Sequence, residues 1–254
     1  EDLVNAFVAR EDRRFWEHNG IDVQGIARAF VQGLKNGGNF DEGASTLTQQ
    51  LIKNNVFNVG LNESTFLDKL ERKVQEQYLA VDMEKKIDKK SIVEYYLNTI
   101  YLGEGCYGVE TAAKTYFGKE LSQLSVSECA VLAAIPQNPT KYDPLLSPDD
   151  NKTRRTQVLK YMLDLEYITQ AQYDEAINDN VYKRIASVSK KEEKEQKTEV
   201  NSYYTDEVIK QLQNDLVAKG YSEDEAESLI WSGGLKVIVC QDPEIQEIAD
   251  SVVN

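Results

Sequence analysis

The stretch "LSVSECAVLAAIPQNP" (residues 124–139) frames an apolar run between a start and a stop. Ser125 and Glu128 stand three apart, the spacing of a helix capping box. Pro136 and Pro139 close the run, since proline cannot continue a helix. The same grammar extends outward in both directions. "DLVNAFVAR" spaces Leu3, Ala6, Phe7 and Arg10 as one helix does. "IDVQGIARAFVQGLKN" continues with Val23, Ile26, Phe30 and Leu34 until "GG" (37–38) stops it. "STLTQQLIKN" reads as a helix with Ser45 or Thr46 as its cap. "DKLERKVQEQYLAVDMEKK" predicts a longer helix, and "KKSIVEYYLNTIYLG" another, closed by Gly103. "VETAAKTYFG" ends at Gly118, and "DDNKTRRTQVLKYMLDLEYI" and "TQAQYDEAIN" form a final pair. Convincing strands are scarce before residue 185.

Past that point the composition changes. "SKKEEKEQKTEV" (189–200) is a charge run that predicts a linker. "SYYTDEVIKQLQNDLVAKG" predicts a helix, and "GGLKVIVCQDPEIQEIADSVVN" a short strand followed by a helix. The expected divisions are 1–185, a charged linker 186–200, and a small α/β segment 201–254.

The 254 residues carry a net charge of −14 with 41% hydrophobic content, enough for a core. That charge argues against a nucleic-acid partner, which needs a basic footprint. The acidity is uneven. Residues 186–254 hold seven Lys/Arg against fifteen Asp/Glu, so the first 185 residues carry only −6. The sequence holds no run of about 18 apolar residues that could span a membrane, and no signal peptide appears in it. The abrupt ends suggest a piece of a longer protein. Cys106, Cys129 and Cys240 lie far apart and show no CxxC spacing, so buried free thiols are expected.

Four stretches could carry chemistry. "AREDRRFWEHNGID" (9–22) crowds Glu11, Asp12, three arginines, Phe15, Trp16 and the chain's single histidine together. A carboxylate there could act as a general base, or the charges could simply clothe a helix end. "EGASTLTQQLIKNN" (42–55) offers Ser45, Thr46, Gln49, Gln50 and Lys53 as donors near a helix start, where anions are favoured. In "ERKVQE" (71–76), Arg72 and Lys73 share a helix face with Glu76. As a surface ion pair that would be worth only about 0.3–0.5 kcal/mol. "YYLNTIYLGEGCYGVETAAKTYFGK" (95–119) sets Asn98 inside an apolar helix, where a buried amide serves a hydrogen-bond network. A lone His18 argues against a histidine metal site and suits a hydrogen-bonded structural role.

Taken in order, "EDRRFWEHNGID", "GASTLTQQLIKN", "RKVQEQYLA", the 95–119 stretch and "LSVSECAVLAAIPQNPTKYDP" closely resemble glycosyltransferase family 51. That family comprises the peptidoglycan glycosyltransferase domains of class A penicillin-binding proteins and the monofunctional transglycosylases. The resemblance covers about residues 1–180. "GGLKVIVCQDPEIQEIA" looks like the lead-in to the transpeptidase domain of the class A proteins. An SxxK string, Ser187 to Lys190, has no accompanying SxN or KTG and reads as chance.

The resemblance implies a mainly α, lysozyme-like fold with a large lobe and a small jaw, the jaw falling at 54–70. It implies polymerisation of lipid II into glycan strands with inversion and release of undecaprenyl pyrophosphate. By motif position Glu11 corresponds to the general base and Glu76 to a second glutamate, assisting the pyrophosphate directly or through a divalent cation (Mg or Mn). No tightly bound cofactor is implied. Lys53, Arg72 and Lys73 match positions near phosphates; Gln50, Ser45, Thr46 and Asn98 match the cleft lining; Asp12 and Arg14 would fix the geometry around Glu11, with the aromatics walling the site and Glu17 facing solvent. The implied partners are lipid II, the growing chain, the outer surface of the bacterial membrane, which apolar residues of the jaw could touch, and moenomycin-type inhibitors. A lysozyme-like hydrolase and a non-catalytic glycan-binding module are the alternatives.

Overall fold

The computed structural model describes residues 1–35, 45–57, 65–185, 188, 203–222, 226, 229, 230 and 237. The expected stop at Gly37–Gly38, the centre of the jaw (58–64), most of the charged linker, and the strand and helix expected after residue 232 lie outside these residues, apart from Val237. The chain divides into two compact units, 1–189 and 190–254, the division falling inside the charge run.

The first unit is helical. Its elements are α1 (Asp2–Glu11), α2 (Val23–Lys35), α3 (Leu47–Val56), α4 (Phe66–Glu84), α5 (Lys89–Thr99), α6 (Val109–Phe117), a 3-10 turn (Leu121–Gln123), α7 (Val126–Ala133), α8 (Pro148–Asp164) and α9 (Gln170–Asn178). Among the described residues the only β pairing is an isolated antiparallel bridge between Tyr101 and Tyr107. The second unit contributes α10 (Tyr203–Ala218).

Side-chain caps set most helix starts. Thr46, Thr65, Ser125 and Thr169 each form a full capping box with the residue three further on. Asp88 caps α5 through the Lys90 and Ser91 amides. Two expected ends move. The helix expected to run to Gly103 stops at Thr99, because the chain turns extended at Ile100 to reach the Tyr101–Tyr107 bridge. The helix expected to run to Pro136 ends at Ala133. Gly118 closes α6 in a left-handed conformation, as expected.

α7 is the axis of the core. Every residue from Ser127 to Ile135 is buried, and α1, α6, α8 and α9 pack around it. A second layer sets α3 against α4 and α5. Phe7 and Tyr96 meet edge to face at 6.2 Å and join the layers. Burying each large side chain contributes about 1.5–3 kcal/mol. Glu128 shows how a polar group enters such a core. Burial pushes its carboxyl up, but hydrogen bonds from Lys119, the Ser125 amide and Arg184 outweigh that and hold it below the ordinary range. The fully buried Arg155 donates to the carbonyls of Ala176 and Ile177, satisfying the end of α9. Cys106 and Cys129 are buried free thiols.

One glycine decides how closely the two layers approach. Gly20 has φ +86, and a Cβ there would stand 2.6 Å from the Ala80 backbone carbon of α4. Its carbonyl accepts from the Thr46 hydroxyl at 2.8 Å. Gly20→Ala should therefore cost at least about 1–3 kcal/mol. Chemical denaturation of the variant beside the parent chain measures it.

Candidate active site

α1 ends at Glu11 because Asp12 leaves the helix (φ −157). The buried Asp12 carboxylate then takes two donors. The Leu47 amide, at the start of α3, reaches it at 3.0 Å, and His18 Nε2 at 2.9 Å. With its proton on Nε2, the His18 ring presents Nδ1 to the Lys89 ammonium at 3.4 Å. Lys89 is itself paired with Glu84 at 2.8 Å and sits 4.3 Å from the Phe15 ring centroid. Residues 12–20 are thus a brace that ties the end of α1 to the beginning of α3. His18 has the structural role expected of it.

The brace opens a cavity of about 520 Å³. Glu11 lies on one side of it, half-buried. Gln50 Nε2 donates to Glu11 Oε2 at 3.1 Å, and the Tyr96 hydroxyl donates to Gln50 Oε1 at 3.3 Å. Burial pushes the Glu11 carboxyl above its ordinary value; Gln50, Arg10 and Arg154 act the other way, and Asp12 adds to the rise. Burial, and then the nearby Glu11 charge, push the Tyr96 hydroxyl up as well, so it stays a donor.

Glu76 lies in the same cavity on α4 and is fully buried. Arg72 pairs with one of its oxygens, and Lys73 reaches the other at 2.8 Å. Lys73 also donates to Ser45 at 2.8 Å, which ties α4 to the approach of α3. The surface-pair value does not apply to a buried carboxylate, whose partners offset a large desolvation cost. Lys53 lines the cavity from the last turn of α3.

The structure therefore brings together Glu11, Asp12, Ser45, Thr46, Gln50, Lys53, Arg72, Lys73 and Glu76. Asn98 does not join them. The buried face of α5 carries Ile92, Val93, Tyr96 and Leu97, which turns Asn98 outward into a separate depression beside Trp16. Arg14 stands one residue back from the cavity, paired with Glu17 at 3.0 Å and with Asp22 at 3.3 Å. The aromatics of the first stretch do not wall the site either. Phe15 is in the core and Trp16 is exposed. Glu17 is exposed, as expected.

Sequence reasoning missed the other wall. α8 contributes Arg154 and Tyr161, and the segment after α7 contributes Pro136 and Gln137. Arg13 lies 3.5 Å over the Tyr161 ring and Arg10 5.9 Å from it. Arg154 is about 140 residues from Glu11, so no local spacing links them. The repeated "RR" of "KTRRTQ" inside a helix was the available signal. Among the described lining residues, seven Arg/Lys face four Asp/Glu. A strongly acidic chain has built a cationic cleft.

Both Glu76 oxygens are engaged by cations, Arg72 and Lys73.

Seven cations and four acids, Glu11 and Glu76 among them, thus share one cleft of a helical domain. A family model described as "Transglycosylase" matches residues 1–163, and the chain belongs to that family. It is 42% identical to penicillin-binding protein 1A of Aquifex aeolicus over 98% of this chain and 31% of the relative. It is 39% identical to penicillin-binding protein 1A of Streptococcus oralis over 97% of this chain and 36% of the relative. A third relative, penicillin-binding protein 1A of Haemophilus influenzae, is 44% identical over 70% of this chain and 20% of its own length. The chain thus spans about a third or less of these relatives.

Replacing both Arg72 and Lys73 with Met strands the buried Glu76 carboxylate. The double variant should lose about 3–5 kcal/mol of stability. Adding Glu76→Gln should restore most of it, as read by denaturation of both variants beside the parent chain.

Proposed function

We propose that residues 1–185 polymerise lipid II into peptidoglycan strands on the outer face of the bacterial membrane. The single observation that carries this reading is the pairing of Glu11 and Glu76 in one cation-rich cavity. An inverting displacement needs a base at the nucleophile and charge relief at the leaving group. Glu11 supplies the base, removing the proton from the sugar 4-hydroxyl of the acceptor. Gln50 orients it. Lys53, Arg72 and Lys73 receive the departing pyrophosphate through charge-assisted hydrogen bonds. Glu76 fixes Arg72 and Lys73 as a unit, and Ser45 and Thr46 line the same side. A glycan hydrolase, the alternative, has no pyrophosphate to hold, and this cationic set speaks against it.

The membrane side of the proposal rests on α4. Leu67, Leu70, Val74 and Tyr78 are 71%, 51%, 58% and 73% exposed, spaced along one face of the helix. No helix among the described residues is long and apolar enough to cross a bilayer. An exposed apolar stripe beside a site that consumes a membrane-held lipid suits contact with the bilayer surface. On the same reading, a moenomycin-type glycolipid occupies the cavity beside Lys53 and Arg72.

The test is lipid II polymerisation in detergent with product sizing. The parent chain should give long glycan, and Glu11→Gln should lower kcat by at least about 100-fold, the scale of a lost general base, while lipid II still binds. Disaccharide release without polymer would move the reading to a hydrolase.

The pH dependence follows from burial. Because the Glu11 carboxyl lies above its ordinary value, the carboxylate is lost early as pH falls. The acid limb of kcat/KM should therefore lie above the ordinary glutamate value of about 4.3. A pH profile of the parent chain checks it.

A further inference from the structure

Two arginines beside Glu11 carry charge that no carboxylate hydrogen bond takes up. Arg10 precedes Glu11 on α1, and Arg154 approaches from α8. Both line the cavity. Arg154 is only 6% exposed, and the Nε atoms of Arg10 and Arg154 are buried without a hydrogen-bond partner among the described residues. Their neighbours are tyrosines, and Arg154 also hydrogen-bonds the Tyr142 side chain. Arg154 lies 4.5 Å from the Tyr142 centroid and Arg10 5.9 Å from that of Tyr161. Two cations so placed, one buried and one half-buried, oppose each other. Burial, then the Arg10 charge, push the Arg154 guanidinium below its ordinary value, and the Glu11 carboxylate pulls it back.

Such a pair persists where an anion faces it, because an uncompensated buried charge is expensive. Four acids line the cavity. Asp12 is held by His18 and the Leu47 amide. Asp22 pairs with Arg14. Glu76 is saturated by Arg72 and Lys73. Glu11 has one neutral donor, Gln50. The acid left for the two arginines is Glu11.

We propose that Arg154, seconded by Arg10, is a positioning residue for Glu11, supplying the buried positive charge that keeps the base a carboxylate inside the cleft. The inference rests on the assignment of Glu11 as base. The groups facing Glu11 are Arg10, Asp12 and Arg13 from α1 and the turn after it, Gln50 from α3, Tyr96 from α5 and Arg154 from α8, with Lys53, Arg72, Lys73 and Glu76 lining the same cavity. Of these, Asp12 opposes ionisation and Arg10 and Arg154 favour it. Arg154 is the favourable charge brought by a different helix, so its removal leaves α1 intact.

The experiment follows the Glu11 carboxyl directly. In the full chain with 13C-labelled glutamate, the Glu11 signal is assigned by its loss in Glu11→Gln and titrated in the parent, Arg154→Met and Arg154→Lys. An opposite charge within about 4–6 Å moves a carboxyl by about 1–3 pH units. Arg154→Met should raise the midpoint by about one unit, at the low end of that range, and carry the acid limb of kcat/KM with it. Arg154→Lys should return both most of the way. An unmoved midpoint in a folded Arg154→Met chain would overturn the proposal and leave Arg154 a packing residue. If Arg154→Met fails to fold, Arg10→Met provides the same reading from α1. A midpoint that moves while Glu11→Gln still polymerises would overturn the assignment of the base and leave the electrostatic coupling standing.

Discussion

The Asp12 carboxylate is the joint on which the site depends. It accepts from the Leu47 amide and from His18 at once, and so joins the end of one helix to the beginning of another. A buried carboxylate holds such donors strongly, because charge-assisted bonds are about twice as strong as neutral ones. Everything in the cleft is set from this joint. Glu11, one residue earlier, falls opposite Gln50 on α3. Thr46, one residue before Leu47, caps α3 and reaches back to Gly20. Gly20 then lies against α4, the helix that carries Glu76. Two glutamates 65 positions apart in the chain share one cavity through four short links.

The two carboxylates meet different environments. Glu11 has one amide donor and feels two arginines whose other contacts are aromatic. Glu76 has a cation on each oxygen. Divergent surroundings for paired acids are how one site runs proton removal and charge stabilisation together. On the proposed reading Glu11 takes the proton, and its single amide donor leaves lone pairs open for it. Glu76 is committed to Arg72 and Lys73.

Much of this was legible in the sequence, for local reasons. Capping boxes and i, i+3 and i, i+4 pairs are written within a few residues, so the helices and the Arg72–Lys73–Glu76 cluster could be read directly. The motif order identified the family, and with it the mainly α class. What failed was direction. Asn98 sat in an apolar helix and was expected in the cleft, but the helix turns it outward. Phe15 and Trp16 were expected as walls, while one entered the core and the other faced out. Helical periodicity says which residues share a face, not which cavity that face meets. The α8 wall was invisible for a second reason. Arg154 and Tyr161 reach the cavity because α8 packs against both α1 and α7, and that is a tertiary fact.

The charge distribution carries the last step. A chain of net charge −14 would repel a polyphosphate substrate if its charges were spread evenly. The cavity inverts the sign locally, seven cations against four acids. Three of those acids are consumed in fixing the cations or the helix ends. The surplus is therefore positioned rather than diffuse. Field lines from a positive cleft in an acidic surface focus toward its mouth, so an anionic headgroup is drawn to the place where both glutamates stand. Beside it, α4 exposes Leu67, Leu70, Val74 and Tyr78. The lipid pyrophosphate proposed as substrate has a charged head and an apolar tail, and α4 carries Arg72 and Lys73 as well as this apolar stripe.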